Sequence, residues 1–229
     1  MTFVVPLWPP ATVAVVGGGL FPVRRIFCVG RNYAAHAREM GADPTRETPC
    51  FFTKPADAVV EDGAAVPYPP ATTNLHHEIE LVVALGQPGR AVAADKALEL
   101  VFGYAVGLDL TRRDLQNQAK QAGQPWDMAK GFDHSAPCGA IAPVSRIGHP
   151  TEAGIRLRVN DVVRQQSDIK DMIWSVAEII AHLSGLVDLK PGDLIFTGTP
   201  EGVGPIKPGD RLEGEIDGIG RLCVTIAAL

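Results

Sequence analysis

Glycine and proline interrupt this chain so often that long helices have little room over most of its length. There are 24 glycines and 19 prolines among 229 residues. A core helix needs roughly 10–12 uninterrupted residues, whereas a buried strand needs roughly four to eight, and the apolar runs between the interruptions have the shorter length. The expected strands are residues 26–29, 51–53, 79–85, 102–108, 155–159, 194–197, 211–216 and 220–226. Pro-Gly-Asp at 191–193 and again at 208–210 sets turns that lead into two of them. One longer helix is expected, from near Met172 to Leu186, because Ile173, Ala177, Ile180 and Leu183 recur at helical spacing and Asp171 stands where a cap is needed. Shorter helices are expected from Leu115 to Ala122, around Leu98–Leu100, and in the segment from Gly30 to Gly41. The expected fold class is mixed α/β and strand-dominated, a rolled or barrel-like sheet with a few short helices. The expected organisation is one catalytic domain over 1–229, with residues 1–22 a short segment packed on it.

Hydrophobic residues make up 46% and charged residues 21%, as in ordinary globular chains, and neither disorder nor a fibrous class fits. The 26 acidic and 21 basic residues give a formal charge of −5 with no basic cluster, so nucleic acid is not an expected partner. Cys28, Cys50, Cys138 and Cys223 have no zinc spacing and read as buried reduced thiols. The apolar start lacks a basic leader and is broken by Pro6, Pro9 and Pro10. No stretch reaches the ~18 apolar residues that span a bilayer, so a cytoplasmic protein without a membrane partner is expected.

Three carboxylates carry the first chemical signal. Glu78 and Glu80 are two apart in a strand-like run, so both project to one face, and Asp109 closes the apolar run 102–108. Burying like charges together is costly unless a cation compensates, and oxygen ligands suit Mg²⁺, Ca²⁺ or Mn²⁺. The two glutamates alone fit a charged edge strand, facing water or paired with lysines, better than a metal site; Asp109, at the end of a buried-looking strand, shifts the balance toward the metal site. His36 and Glu39 are three apart, one helical face, where a carboxylate can orient an imidazole for general-base work. A solvated surface pair is the alternative. Lys130 is a lone cation among small and apolar residues. The glycines of residues 196–204 let backbone N–H groups approach an anion, beside the Thr197 and Thr199 hydroxyls.

Six motifs in order resemble the fumarylacetoacetate hydrolase family. They are Gly-Arg-Asn-Tyr-x-x-His-x-x-Glu at 30–39, Thr-Lys-Pro at 53–55, Glu-Ile-Glu-Leu at 78–81, the run 103–116, Lys-Gly-Phe-Asp at 130–133, and the run 189–204. The resemblance implies a mixed β-roll, usually a homodimer, with a divalent cation, commonly Mg²⁺, on Glu78, Glu80 and Asp109. It implies a water-activating dyad of His36 and Glu39 on a mobile lid, and the polar segment from Ala37 to Thr48 is the expected lid. Lys130, Arg113, Gln116 and Thr199 match positions that hold or polarise the substrate. Among the family's branches, the chain is most similar to those that cleave fumarylpyruvate to fumarate and pyruvate in aromatic (gentisate) catabolism.

The implied reaction is hydrolysis of a C–C bond in a 2,4-dioxo acid. Arg31, Arg38 and Lys54 are the cations available for a far carboxylate of the substrate. Decarboxylation of oxaloacetate, cleavage of other acylpyruvates, and isomerisation of a dioxo acid are rival chemistries for the same residues. A metal or keto-acid binding module is the non-enzymatic alternative, against which the retained His36–Glu39 pair argues.

Overall fold

The apolar runs become strands within a residue or two of their expected bounds. In the computed structural model, residues 3–39 and 47–228 are described. The strands that build the site region are β1 (Arg25–Gly30), β2 (Cys50–Lys54), β3 (Ala65–Pro67), β4 (Leu75–His77), β5 (Ile79–Leu85), β6 (Val101–Leu108) and β7 (Thr111–Arg112). They continue with β8 (Ala142–Pro143), β9 (Gly154–Val159), β10 (Val162–Asp168), β11 (Asp193–Phe196), β12 (Gly204–Ile206), β13 (Arg211–Ile216) and β14 (Gly220–Ala227). A six-stranded sheet runs in the order β8-β6-β5-β11-β1-β2, a five-stranded sheet in the order β10-β9-β13-β14-β3, and a small sheet in the order β7-β4-β12. Within these three sheets pairing is antiparallel except for β11 with β1 and β14 with β3.

All seven residues of β5 are buried, since both of its faces are covered. Ile79, Leu81 and Val83 meet Val106, Ile155, Leu157, Leu212 and Val224 in the core between the two large sheets. Val82 and Ala84 point the other way, against Ile26, Cys28, Ala105, Leu194 and Phe196, under a hairpin that contributes Val13 and Phe21. Each such aliphatic side chain contributes about 1.5–3 kcal/mol on full burial. This second layer is tight at Gly107, where a Cβ would stand 2.5 Å from Val82 Cγ2 and 2.6 Å from Phe196 Cε1. Glycine is therefore the residue that lets β6 and β11 close over β5 there.

The helices are α1 (Ala34–Glu39), α2 (Arg113–Ala122), α3 (Asp127–Lys130) and α4 (Val176–Leu186) among shorter turns. The longest begins later than its periodicity predicts. Ile173 N–H donates to the Asn32 carbonyl and Trp174 N–H to Asn32 Oδ1, each at 2.7 Å, which holds residues 173 and 174 out of the helix. Ser175, not Asp171, is the cap, and it forms a reciprocal capping box with Glu178. The segment around Leu98–Leu100 is a 3₁₀ turn following the four-residue helix Ala94–Ala97. Gly41, the expected stop of α1, lies outside the described residues. The cysteines correct a further expectation: all four are free, but only Cys28 and Cys138 are buried, while Cys50 is exposed. Among the described residues, no helix is long and apolar enough to cross a membrane.

Candidate active site

The site forms where the six-stranded and small sheets share a chain. Glu78 occupies a one-residue break between β4 and β5, which pair in different sheets, rather than the continuous strand that its spacing predicts. The two glutamates still converge. Asp109 leaves the end of β6 and its N–H donates to the Glu78 carbonyl at 2.8 Å, bringing the third carboxylate alongside. One oxygen from each of Glu78, Glu80 and Asp109 lies within 4.8 Å of the others, and all three residues are buried.

Around this trio the chain collects cations and donors. Lys130 Nζ at the end of α3 donates to Glu78 Oε2 at 2.9 Å, Asp109 Oδ2 at 2.6 Å and Thr111 Oγ1 at 2.7 Å. Arg113, at the start of α2, donates to Glu78 Oε1 and to Gln116 Oε1. Lys54 Nζ lies 2.7 Å from Asp109 Oδ1 but bonds instead to the carbonyls of Leu110 and Lys130, so Asp109 Oδ1 has a charge neighbour and no hydrogen bond. Glu80 Oε2 accepts the Gly198 N–H at 2.7 Å. That amide is presented by a residue at φ +98°, where a Cβ would stand 2.7 Å from Asn32 Cβ; only glycine fits both conditions.

The electrostatics separate the two glutamates. Burial pushes Glu80 well above the usual carboxylate range, and the charges of Asp109 and Glu78 push it further. Burial acts on Glu78 in the same direction, but Lys130 and Arg113 overcome it and hold this carboxyl below its usual value. Burial disfavours the Lys130 ammonium, yet Asp109 and Glu78 raise its pKa, so it stays charged. A buried carboxyl crowded by like charges, a second carboxylate oxygen without a hydrogen bond, and a set made of oxygen alone fit a hard divalent cation.

His36 faces the same cleft and is only 6% exposed. Its Nδ1 lies 3.2 Å from Glu39 Oε2, and both Glu39 oxygens lie 3.2 Å from the donating Gly202 N–H. The pair is thus tied to the glycine-rich loop after β11, with His36 buried and Glu39 exposed behind it. Thr199 on that loop is also buried against the cleft, its Oγ1 accepting from Gln165 Nε2 at 2.8 Å. The cleft, of about 410 Å³ with its open mouth, is lined by eight of the nine sequence-derived site residues: His36, Glu78, Glu80, Asp109, Arg113, Gln116, Lys130 and Thr199. Glu39, the ninth, stands behind His36. Most of the expected lid, residues 40–46, lies outside the described residues.

Several residues were not legible as part of the site. Gln165 on β10 is 1% exposed and accepts from Ile79 N–H while donating to Thr199 and to the Pro200 carbonyl, so it ties the strand that carries Glu80 to the loop that carries Thr199. Nothing in the polar run Val-Val-Arg-Gln-Gln-Ser-Asp distinguishes it from its neighbours. Asn32 is fully buried and anchors the entry to α1 through Thr197 O and Trp174 O. Of the three cations considered for a far carboxylate, Lys54 turns inward to Asp109, Arg31 lines the cleft, and Arg38 is exposed and not among the lining residues.

A mixed β-roll thus sets a candidate general base, His36 with Glu39, beside a buried oxygen-ligand set that suits a hard divalent cation. The model for the fumarylacetoacetate (FAA) hydrolase C-terminal region matches residues 25–227, and the chain belongs to the fumarylacetoacetate hydrolase family. It is 48% identical over 185 residues to a fumarylpyruvate hydrolase from Ralstonia sp, covering 80% of this chain and 95% of that one. It is 44% identical over 196 residues to the mitochondrial oxaloacetate tautomerase of Mus musculus, covering 86% and 88%. The crystal structure of fumarylpyruvate hydrolase from Pseudomonas aeruginosa in complex with Mn²⁺ and pyruvate superposes with a TM-score of 0.97, at 52% identity and full coverage of both chains.

Proposed function

We propose that this protein is a metal-dependent hydrolase of the C–C bond in 2,4-dioxo acids, with fumarylpyruvate as substrate and fumarate and pyruvate as products. The observation that carries the reading is the meeting of His36 with the three buried carboxylates in one small cleft. The name and ligands of the Pseudomonas aeruginosa relative supply the substrate class and a metal of the right type.

Glu78, Glu80 and Asp109 would hold the cation, Mg²⁺ in the cell with Mn²⁺ able to replace it. When bound, the cation supplies Lewis-acid stabilisation for negative charge on the pyruvyl oxygens. His36, oriented by Glu39, takes a proton from water as the water oxygen attacks the carbonyl carbon distal to the pyruvyl end. The bond between that carbon and the pyruvyl methylene breaks, its electron pair stays with the pyruvyl fragment, and protonation gives pyruvate. Thr199 Oγ1 and neighbouring amides hold the attacked oxygen, and Arg113 and Gln116 orient the substrate.

Charge balance supports an anionic substrate. The three carboxylates face three fixed cations, Lys54, Lys130 and Arg113, so a divalent ion leaves the cleft positive. The chain is proposed to act as one catalytic domain and to assemble as a homodimer, which light scattering of the purified protein measures. The deciding assay offers fumarylpyruvate, acetylpyruvate and oxaloacetate to the protein with Mg²⁺ or Mn²⁺. Hydrolysis of fumarylpyruvate is expected. Enolisation of oxaloacetate without hydrolysis would move the chain to the tautomerase reading, and inactivity on all three would leave a binding module.

A further inference from the structure

We infer that Lys120 and Arg31 form a second anion subsite at the outer end of this cleft, which selects substrates carrying a far carboxylate; this rests on the dioxo-acid reading above. The inner cations are committed. Lys54, Lys130 and Arg113 all lie within ion-pair distance of Glu78 or Asp109. Lys120 and Arg31 also line the cleft, and neither has an ion pair or a side-chain hydrogen bond with another described residue. Neither makes a direct ion pair there, and the carboxylate that acts on Lys120, Glu78, is already bonded to Lys130 and Arg113. Lys120 Nζ lies over the Trp126 ring, 5.5 Å from its centroid, and Trp126 is itself a wall of the cleft.

Both line one cleft, and burial, with the charges of Arg113 and Arg31, lowers the Lys120 pKa against the opposing charge of Glu78. Mutual repulsion between unpaired cations is relieved by an anion between them. Arg31 is also strained, a non-glycine residue at φ +61°. Such a conformation costs on the order of 1–3 kcal/mol and persists where the surroundings or the function require it.

Helix α2 supplies the ruler. Arg113, Gln116 and Lys120 are spaced i, i+3, i+7, one stripe of the helix, and all three line the cleft. At 1.5 Å per residue, Lys120 lies about 10 Å along the axis from Arg113, which stands at the metal-side carboxylates. An extended seven-carbon diacid has six C–C bonds of about 1.5 Å, so its carboxyl carbons are about 7–8 Å apart and their oxygens further. A diacid with one end at the carboxylate trio brings its other end to Lys120 and Arg31. A monoacid offers nothing to bind there.

The test is calorimetric titration of the Mn²⁺-loaded protein with two ligands that lack the cleavable 1,3-dicarbonyl bond, 2-oxoheptanedioate and 2-oxoheptanoate. The readout is the ratio of their affinities. The wild type is expected to prefer the diacid by about 10- to 100-fold, the range of charge-assisted hydrogen bonds. Lys120→Met is expected to cut that ratio at least severalfold, Lys120→Met/Arg31→Met to bring it near one, and Lys120→Arg to restore most of it. Thermal melting checks that each variant is folded. A wild-type ratio near one, or a ratio unmoved in the folded double variant, overturns the inference. A strong ratio in a protein that hydrolyses no dioxo acid would overturn the catalytic reading and leave the subsite standing.

Discussion

At the scale of single residues, the site depends on groups whose positions are fixed by backbone features. Glu80 receives its one backbone donor from Gly198, a residue at φ +98° with no room for a Cβ beside Asn32. Gly198→Ala is expected to destabilise the fold by about 1–3 kcal/mol and to weaken Mn²⁺ binding, because the loop must shift away from Glu80. Urea denaturation and metal titration measure the two effects. Thr199 differs, since it lines the cleft and its hydroxyl bonds to Gln165 and to none of the three carboxylates. Thr199→Ala is expected to lower kcat about 100- to 1000-fold, as for loss of one donor to a developing oxyanion, with Mn²⁺ affinity kept within about threefold. An unchanged kcat would remove Thr199 from the reaction. The eight sequence-derived residues that line the cleft could be picked out because each has distinctive chemistry or a motif around it. Gln165 and Asn32 could not, because a buried amide is recognised only by the distant backbone groups it joins, Ile79 and Pro200 for one and Thr197 and Trp174 for the other. Lys54 had a motif but no readable direction, since only the pairing of β2 with β1 turns it toward Asp109.

At the scale of elements, apolar runs between turn residues read cleanly as strands, since local composition alone limits them. What failed were the junctions governed by tertiary partners. Glu78 looks like part of one strand with Glu80, yet β4 pairs with β7 and β12 while β5 pairs with β6 and β11, and the break falls on the glutamate between them. The late start of α4 has the same origin: periodicity extends back to Ile173, but Asn32, more than a hundred residues away in sequence, captures the N–H groups of residues 173 and 174. The helix must then begin at the next available cap. Ser175→Ala removes one half of the capping box and is expected to cost about 1 kcal/mol, with kcat for the dioxo acid unchanged. Asp171→Ala, at the residue that periodicity had suggested as the cap, is expected to cost less. Denaturant midpoints for the two variants rank the caps.

At the scale of the whole molecule, the carboxylate trio lies at the seam of the six-stranded and small sheets, so occupation of the site by a metal and global stability are linked. Without a cation, Glu80 sits in a position where burial and two neighbouring carboxylates raise its pKa. A carboxyl whose folded pKa exceeds its unfolded value binds more protons in the native state. Native stability therefore falls as pH rises from the unfolded pKa, near 4.5, through the raised one. A divalent cation reverses this contribution, because it binds the ionised carboxylates and must displace the Glu80 proton to do so. Its stabilisation, RT ln(1 + [L]/Kd), amounts to about 2.7 kcal/mol at a free concentration 100 times Kd, and it grows with pH as that displacement becomes easier. The gap in Tm between Mn²⁺-loaded and chelator-treated protein is thus expected to widen from about pH 5 to about pH 8. Glu80→Gln should flatten it, since the amide has no proton to release and supplies no charge to the metal. A gap independent of pH in the wild type would mean that Glu80 is ionised without metal, and that the Gly198 amide and Lys130, which lower its pKa, outweigh burial and the two neighbouring carboxylates.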